Sequence, residues 1–224
     1  MEYSKINSLW KREAWYFDEK DKKDKSKQNG RQSFIVGDYA REEFGNIKTW
    51  DVCEKIDGTN IRIFYKDGKV IFGGRTKDAQ LPCHLLEYLQ RHFIPDVLSL
   101  AFPTNENRLP PNVILFGEGY GPKIQAAGGN YRKDPGFILF DVFIGGFWLK
   151  HDDLREISQR LEIPMVPHIG RMTTEEVVEF VKSKPLSRCS MNPQMMEGVV
   201  CRPSPPMLFR NGENILMKLK CKEF

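Results

Sequence analysis

The sequence predicts an α+β domain in which short antiparallel strands form the sheets and helices pack outside them. Three observations carry that prediction. Short apolar or alternating runs recur in neighbouring pairs, and Lys66-Asp67-Gly68-Lys69 supplies a two-residue hairpin signal between two of them. Helical patterns are few and bounded by clear start and stop signals. The chain has 224 residues, enough for one substantial core, with no internal repeat and no convincing linker. A single domain over residues 1–224 is therefore expected.

The elements follow in order. Residues 1–17 contain Ile6, Leu9, Trp10, Trp15, Tyr16 and Phe17, enough apolar surface to dock on the body. Asp18 to Arg31 is a lysine-rich polar run, expected to be an exposed, mobile loop. It reads either as a solvated surface loop or as a basic arm for a polyanion. From Trp50 to Thr76 the pattern is strand, turn, strand, turn, strand, which sets Lys55 near a strand end beside a turn. Leu85, Leu86, Leu89 and Phe93 fall at helical spacing in Leu81 to Phe93. Asn112 to Glu118 and Phe137 to Phe143 read as buried strands joined by a glycine-rich connection.

Asp152-Asp153 opens a helix carrying Leu154, Ile157 and Leu161, which stops before Pro164. Thr173-x-x-Glu176 is a capping box for a helix over Glu175 to Lys182. Met196 to Cys201 and Ile215 to Lys220 read as strands, separated by the Pro203 to Pro206 loop. Met195-Met196 reads as core filling, and Glu162 and His168 earn no functional assignment.

Bulk composition excludes more than it selects. With 34 basic and 30 acidic residues the net charge is +4, too weak to imply nucleic-acid binding by itself. The longest apolar stretch, Phe137 to Leu149, is broken by Asp141 and too short to span a bilayer. Glu2, Lys5, Lys11 and Arg12 interrupt any signal-peptide pattern. Cys53, Cys83, Cys189, Cys201 and Cys221 are scattered, odd in number and without C-x-x-C or zinc spacing. Free thiols in a reducing cytoplasm are expected.

The informative feature is an ordered set. Lys55 lies in Glu54-Lys55-Ile56-Asp57-Gly58-Thr59-Asn60 and is followed by Arg75, Glu118, Phe140-Asp141, Glu197-Gly198 and Lys218-x-Lys220. One Lys-x-Asp-Gly means little, because Asp-Gly is also a common turn. A lysine amine that attacks a phosphate must shed its proton, although a lysine ordinarily titrates near ~10.4. Burial and neighbouring cations disfavour the ammonium form, and Arg75, Lys218 and Lys220 are candidates for those neighbours.

That set resembles the covalent nucleotidyltransferases, namely ATP-dependent RNA and DNA ligases and mRNA capping enzymes, from about residue 50 to the end. The resemblance implies an ATP-grasp-like adenylation domain of antiparallel sheets with flanking helices. It puts Lys55 in the place of the motif I nucleophile, flanked by Glu54 and Asn60 as nucleotide-binding positions. Gly73-Gly74-Arg75-Thr76 resembles the next element, whose arginine contacts the nucleotide and its phosphates. Glu118 matches the motif III glutamate that holds the ribose. Phe140 matches the motif IIIa ring that stacks on adenine. Glu197 matches the motif IV glutamate that serves the metal, and Lys218 and Lys220 match the motif V lysines at the α-phosphate.

Each has a plainer alternative: Phe140 as core, Arg75 and Glu118 as an ordinary ion pair, Arg202 as a surface arginine before Pro203. Arg202, five places after Glu197, the Arg75 spacing and Thr59-Asn60 after Gly58 are most similar to the bacteriophage nick-sealing ligases of the RNA ligase 2 type. Only Cys221 to Phe224 follow Lys220, so neither an OB-fold nor a C-terminal helical domain is expected here.

The resemblance implies an RNA ligase that uses ATP and Mg²⁺ or Mn²⁺ and acts on nicked or single-stranded RNA ends, including RNA/DNA hybrids. Lys55 would carry AMP, Lys218 and Lys220 would stabilise the transferred phosphate, and Glu197 would hold metal. No membrane or obligate protein partner is expected, and a cytoplasmic site is, the host cytoplasm if the source is viral. A minimal DNA ligase and a non-catalytic end-binding protein on the same scaffold are the alternatives.

Overall fold

A computed structural model describes residues 2–4, 6–13, 33–103 and 112–224. The first strands are β1 (Asn7–Ser8), β2 (Trp10–Arg12), β3 (Phe34–Tyr39), β4 (Trp50–Lys55), β5 (Thr59–Lys66) and β6 (Lys69–Gly73). Helices α1 (Cys83–His92) and α2 (Pro95–Ala101) precede β7 (Val113–Tyr120), α3 (Gly128–Tyr131), β8 (Gly136–Ile144) and β9 (Phe147–Trp148). Then come α4 (His151–Arg160), β10 (His168–Met172), α5 (Thr174–Lys182), β11 (Gly198–Pro203) and β12 (Met217–Lys220). The predicted α+β class holds, with mainly antiparallel pairing. Both five-stranded sheets are open, and no closed barrel forms among the described residues.

The chain divides into two compact units. The first comprises Met1–Ser4, Glu54–His168 and Leu186–Met196; the second comprises Lys5–Cys53, Ile169–Pro185 and Glu197–Phe224. The division falls inside β4, between Cys53 and Glu54.

In the first unit the sheet order is β6-β5-β7-β8-β9. Alternation drives it: Ile61, Ile63 and Tyr65 of β5 face a core shared with Leu115, Phe137, Leu139 and Val142. Leu85 and Leu89 of α1, Leu98 of α2, and Leu154 and Ile157 of α4 join the same core. The predicted β5–β6 hairpin closes on Asp67 (φ 50) and Gly68 (φ 70), the two left-handed residues a type I′ turn needs. Helix α2 was not foreseen. Pro95 at its first turn donates no hydrogen bond and is pre-set in φ, so a residue that reads as a breaker instead starts the helix. Of the methionine pair, Met196 is buried as expected, but Met195 is 45% exposed and is not core filling.

The opposite face of this sheet is closed by the chain's beginning. The Tyr3 ring lies 5.0 Å from Phe116, 5.1 Å from Phe140 and 6.0 Å from Trp148, centroid to centroid. Its hydroxyl donates to Asp141 Oδ2 at 2.9 Å, with the aspartate fully buried. The β7–β8 register slips here: Phe116 faces Asp141 but Gly117 faces Leu139, leaving Phe140 as the extra residue of a bulge. Tyr3 touches both Phe140 and Asp141, because the bulge turns these consecutive residues to one side.

In the second unit the sheet order is β1-β12-β11-β4-β10, with β1 parallel to β12 and β11 antiparallel to it. Helix α5 opens with the predicted capping box, Glu176 N–H donating to Thr173 Oγ1 at 3.3 Å and Thr173 N–H to Glu176 Oε2 at 2.7 Å. Buried Trp50 donates its indole N–H to Thr174 Oγ1 at 3.0 Å and packs on Phe44, ring centroids 5.8 Å apart. A separate pair, β2 with β3, carries Trp10 and Phe34, and Phe224 packs on both rings. Leu9 and Trp10 are buried, as the expected docking of the N-terminal segment requires. Asp18 to Arg31, and Trp15 to Phe17 before it, lie outside the described residues.

The Tyr3 hydroxyl provides a direct test of this packing. Tyr3→Phe keeps the ring contacts but removes the donor to a buried carboxyl, a loss of about 1–3 kcal/mol. A thermal melt should fall by about 5 °C. An unchanged melting temperature would show that Asp141 does not depend on Tyr3.

Candidate active site

Lys55 ends β4, and Ile56–Gly58 carries the chain into β5 of the other five-stranded sheet. Asp57-Gly58 is therefore a crossover between sheets and not a hairpin. Lys55 is half-buried, with Nζ 3.4 Å from the Ile56 carbonyl oxygen.

The backbone on both sides of Lys55 is braced. Before it, Glu54 is 1% exposed, and its carboxylate accepts from Ser187 Oγ and, at 2.8 Å, from the Arg188 N–H. The Glu54 N–H donates to the Pro167 carbonyl at 2.9 Å. After it, the Asp57 N–H donates to the Tyr131 hydroxyl at 3.3 Å, and Gln125 Nε2 donates to the Gly58 carbonyl at 3.0 Å. Gly58 packs directly on β7. A Cβ at that position would lie 2.7 Å from Glu118 Cγ and would also strike the Gly119 backbone. The glycine is thus required by close approach. The braces are themselves connected: Met191 N–H donates to Tyr131 O at 3.1 Å and Asn192 N–H to Asn130 O at 2.9 Å.

Next to this turn, the site face of the first unit's sheet gathers the predicted nucleotide residues. Asn60 and Glu118 are directly paired across β5 and β7, so their half-buried side chains share a face. Phe140, displaced by the bulge, is half-buried and edge-on to Tyr3. Arg75 is exposed just past β6, and its side chain has no hydrogen-bond or ion-pair partner among the described residues. Lys55, Glu54, Asn60, Arg75, Glu118 and Phe140 all belong to the first unit.

Glu197, Arg202, Lys218 and Lys220 belong to the second unit. Lys220 Nζ lies 2.8 Å from Glu197 Oε1, both side chains being mostly buried. Gly198 makes this pairing possible, since a Cβ there would lie 2.7 Å from Lys220 Cα and collide with the Leu219 carbonyl. Alternation sorts the rest: Val199, Cys201, Met217 and Leu219 face the core, and Val200, Arg202, Lys218 and Lys220 are half-buried on the other face. Val200 pairs with Lys218 and Gly198 with Lys220, so Arg202 lies on the same face as the two lysines.

No group of three or more His, Cys, Asp or Glu side chains that would hold a metal alone occurs among the described residues. One carboxylate set among cations suits a divalent ion that arrives with a nucleotide, because Mg²⁺ usually takes one or two carboxylates and otherwise water and phosphate oxygens. In the second unit Glu197 is a carboxylate so placed, beside Lys220.

Sequence reasoning did not find Tyr131, Gln125, Ser187 or Arg62. The first three act through single contacts with the Lys55 turn and carry no local pattern. Arg62 left one signal, a charged residue between Ile61 and Ile63 in a strand that reads as buried.

Burial also governs the thiols. Cys189 is pushed up to about 12, chiefly by burial, with the Glu54 carboxylate adding to it and Ser187 opposing. Cys201 is held well above the ordinary thiol value by full burial and by Cys53 nearby. Tyr120 is raised by burial, which the Arg132 guanidinium partly offsets.

The RNA ligase family model matches residues 48–220. Among solved structures, the chain is similar to RNA ligase of Naegleria gruberi. A mutant with ATP and Mn is 18% identical with a TM-score of 0.56, covering 77% of this chain and 49% of that one. An apo mutant is 20% identical with a TM-score of 0.56, covering 80% and 50%. Another mutant, with AMP and Mn, is 19% identical with a TM-score of 0.56, covering 80% and 51%. The chain thus spans about half the length of these structures, and at such identities the likeness establishes the fold. No curated protein matches the sequence. No described helix is long and apolar enough to cross a membrane.

The thiols give this site a chemical check. A thiol raised in the folded state stabilises that state fully below its ordinary value of 9.0, and the contribution is lost as pH rises toward about 12. At about pH 8, iodoacetamide should therefore label exposed Cys83 rapidly and Cys189 at least about tenfold more slowly, read by peptide mapping. Equal rates would show that the Glu54–Ser187–Cys189 cluster is open.

Proposed function

The chain belongs to the RNA ligase family, and on that premise we propose that it is an ATP-dependent polynucleotide ligase that joins RNA ends through AMP carried on Lys55. The observation that supports this most is the bracing of the Lys55 turn from both sides, with Gly58 seated on Glu118 and Gly119. A nucleophile held this way meets its phosphate without first being ordered.

The chemistry proceeds in three displacements. Lys55 Nζ attacks the α-phosphorus of ATP; a P–N bond forms, the bond to the β-phosphate oxygen breaks, and pyrophosphate leaves in line. A 5′-phosphate oxygen then attacks the same phosphorus, and the lysine amine departs. Finally a 3′-hydroxyl attacks the activated 5′-phosphate, closing the phosphodiester and releasing AMP.

Glu118 accepts from the ribose hydroxyls, with Asn60 beside it, and Phe140 offers its ring to adenine. Arg75 meets the phosphates from outside, and Arg202 supplies a further cation. Lys218 and Lys220 stabilise charge on the phosphate being transferred. Glu54 acts at one remove by holding the backbone that carries Lys55. Mg²⁺ or Mn²⁺ bound with the triphosphate would neutralise phosphate charge, with Glu197 as its protein carboxylate. The likeness of motif I and Arg202 to the phage RNA ligase 2 type favours nicked duplexes as substrate. ATP, AMP and Mn in the Naegleria gruberi structures agree with the proposed nucleotide and metal class.

Sealing assays test the proposal. With ATP and Mg²⁺ the protein should join a 5′-phosphate RNA strand to a 3′-hydroxyl, with the adenylylated 5′ end appearing in transit. Lys55→Ala should abolish ATP-dependent joining yet still seal a strand supplied already adenylylated, because the last displacement needs no lysine nucleophile. Glu197→Ala and Lys220→Ala should lose about a hundredfold or more in the first step while remaining folded. ATP-dependent sealing by Lys55→Ala would overturn the proposal, and sealing confined to all-DNA nicks would transfer it to DNA.

A further inference from the structure

We propose that Arg62 is a positioning residue for Arg75: its buried guanidinium fixes the turn that presents Arg75 to the nucleotide phosphates. The proposal rests on the reading of Arg75 as a phosphate contact and extends it to a residue outside the ligase motifs. Arg62 lies in the middle of β5, a strand paired on both sides, and is 5% exposed. Its neighbours Ile61 and Ile63 point into the core, so Arg62 points to the site face.

From there its side chain reaches over β6. In the β5–β6 ladder Arg62 is opposite Gly73, and a Cβ at Gly73 would already be 3.5 Å from Arg62 Nη2. Beyond the glycine, Nε donates to the Gly74 carbonyl at 2.6 Å and Nη2 donates to the Thr76 carbonyl at 3.1 Å. These two carbonyls flank Arg75. The turn is also closed on itself, since a Cβ at Gly74 would stand 2.7 Å from Ala79 Cβ.

Burying a guanidinium is costly unless its donors are used. The planar fork of arginine suits two acceptors set at fixed spacing, which a lysine ammonium cannot match. The result is a cation-braced backbone under an exposed side chain. Arg75 has no side-chain partner among the described residues, so the bracing constrains where its guanidinium starts without engaging it. Such preorganisation lowers the ordering cost of meeting a phosphate.

A double-mutant cycle distinguishes positioning from a merely structural role. Arg62→Met and Arg62→Lys are made alone and with Arg75→Ala, and self-adenylation is followed with ATP varied. Arg62→Met should raise the KM for ATP about tenfold with kcat changed less than about threefold, yet change KM less than about twofold when Arg75 is already alanine. Arg62→Lys should act in the same direction, because one ammonium cannot bridge both carbonyls. Affinity for adenosine, which has no phosphate, should be unaltered by either substitution.

Additive effects in the cycle would overturn the proposal while leaving Arg75 as a phosphate contact. A harmless Arg75→Ala would instead remove that reading of Arg75, and with it the proposal. If Arg62→Met fails to fold, Arg62→Lys decides, and unfolding of both would assign Arg62 a structural role and reject positioning.

Discussion

The Lys55 turn depends on one buried carboxylate. Glu54 is 1% exposed and immediately precedes Lys55. A carboxylate so placed is tolerated only if donors meet it, and Ser187 Oγ and the Arg188 N–H do so. These donors come from a loop remote in sequence, so satisfying Glu54 also orders residues 186–196. That loop in turn is held to α3, and Tyr131 of α3 holds Asp57. The hydrogen bonds therefore run in a circuit around the Lys55 turn. In this way a buried carboxylate becomes a constraint on the backbone position of Lys55, the proposed nucleophile.

The same economy recurs across the first unit's sheet. Its core face is apolar and alternates as strands should, and its opposite face buries two polar side chains, Arg62 and Asp141. Neither is there for packing alone. Arg62 fastens the turn bearing Arg75. Asp141, held by Tyr3, fastens the bulge that displaces Phe140. Two of the proposed site residues, Arg75 and Phe140, thus each adjoin a buried polar side chain that bonds to the neighbouring structure. In the second unit glycine does the comparable work, because Gly198 lets β11 and β12 close enough for Glu197 to meet Lys220.

Legibility in the sequence followed the range of the interactions. The hairpin at Asp67-Gly68, the capping box at Thr173 and the alternation of Ile61 and Ile63 are local, and each formed where expected. Lys55, Glu118, Glu197 and Lys220 were legible as an ordered set. What fixes Lys55 and Phe140 within the first unit was not. Tyr3 and Asp141 are 138 positions apart, and Glu54 and Ser187 are 133 apart. No window of residues shows such a pairing. The Asp57-Gly58 turn shows the limit well: its composition signals a hairpin, but β4 and β5 belong to different sheets. Met195 misled for a related reason, since an apolar residue in a short ordered loop can be fixed by backbone bonds and still face solvent.

The central claim is that this braced lysine is the one that accepts the nucleotide. The most direct measurement is peptide mapping of the intact protein after incubation with ATP and Mg²⁺. A single adenylyl group, acid-labile, is expected on Lys55 in the peptide that contains Glu54. An adenylyl group on Lys218 or Lys220 instead, or none on the folded protein, would contradict that claim.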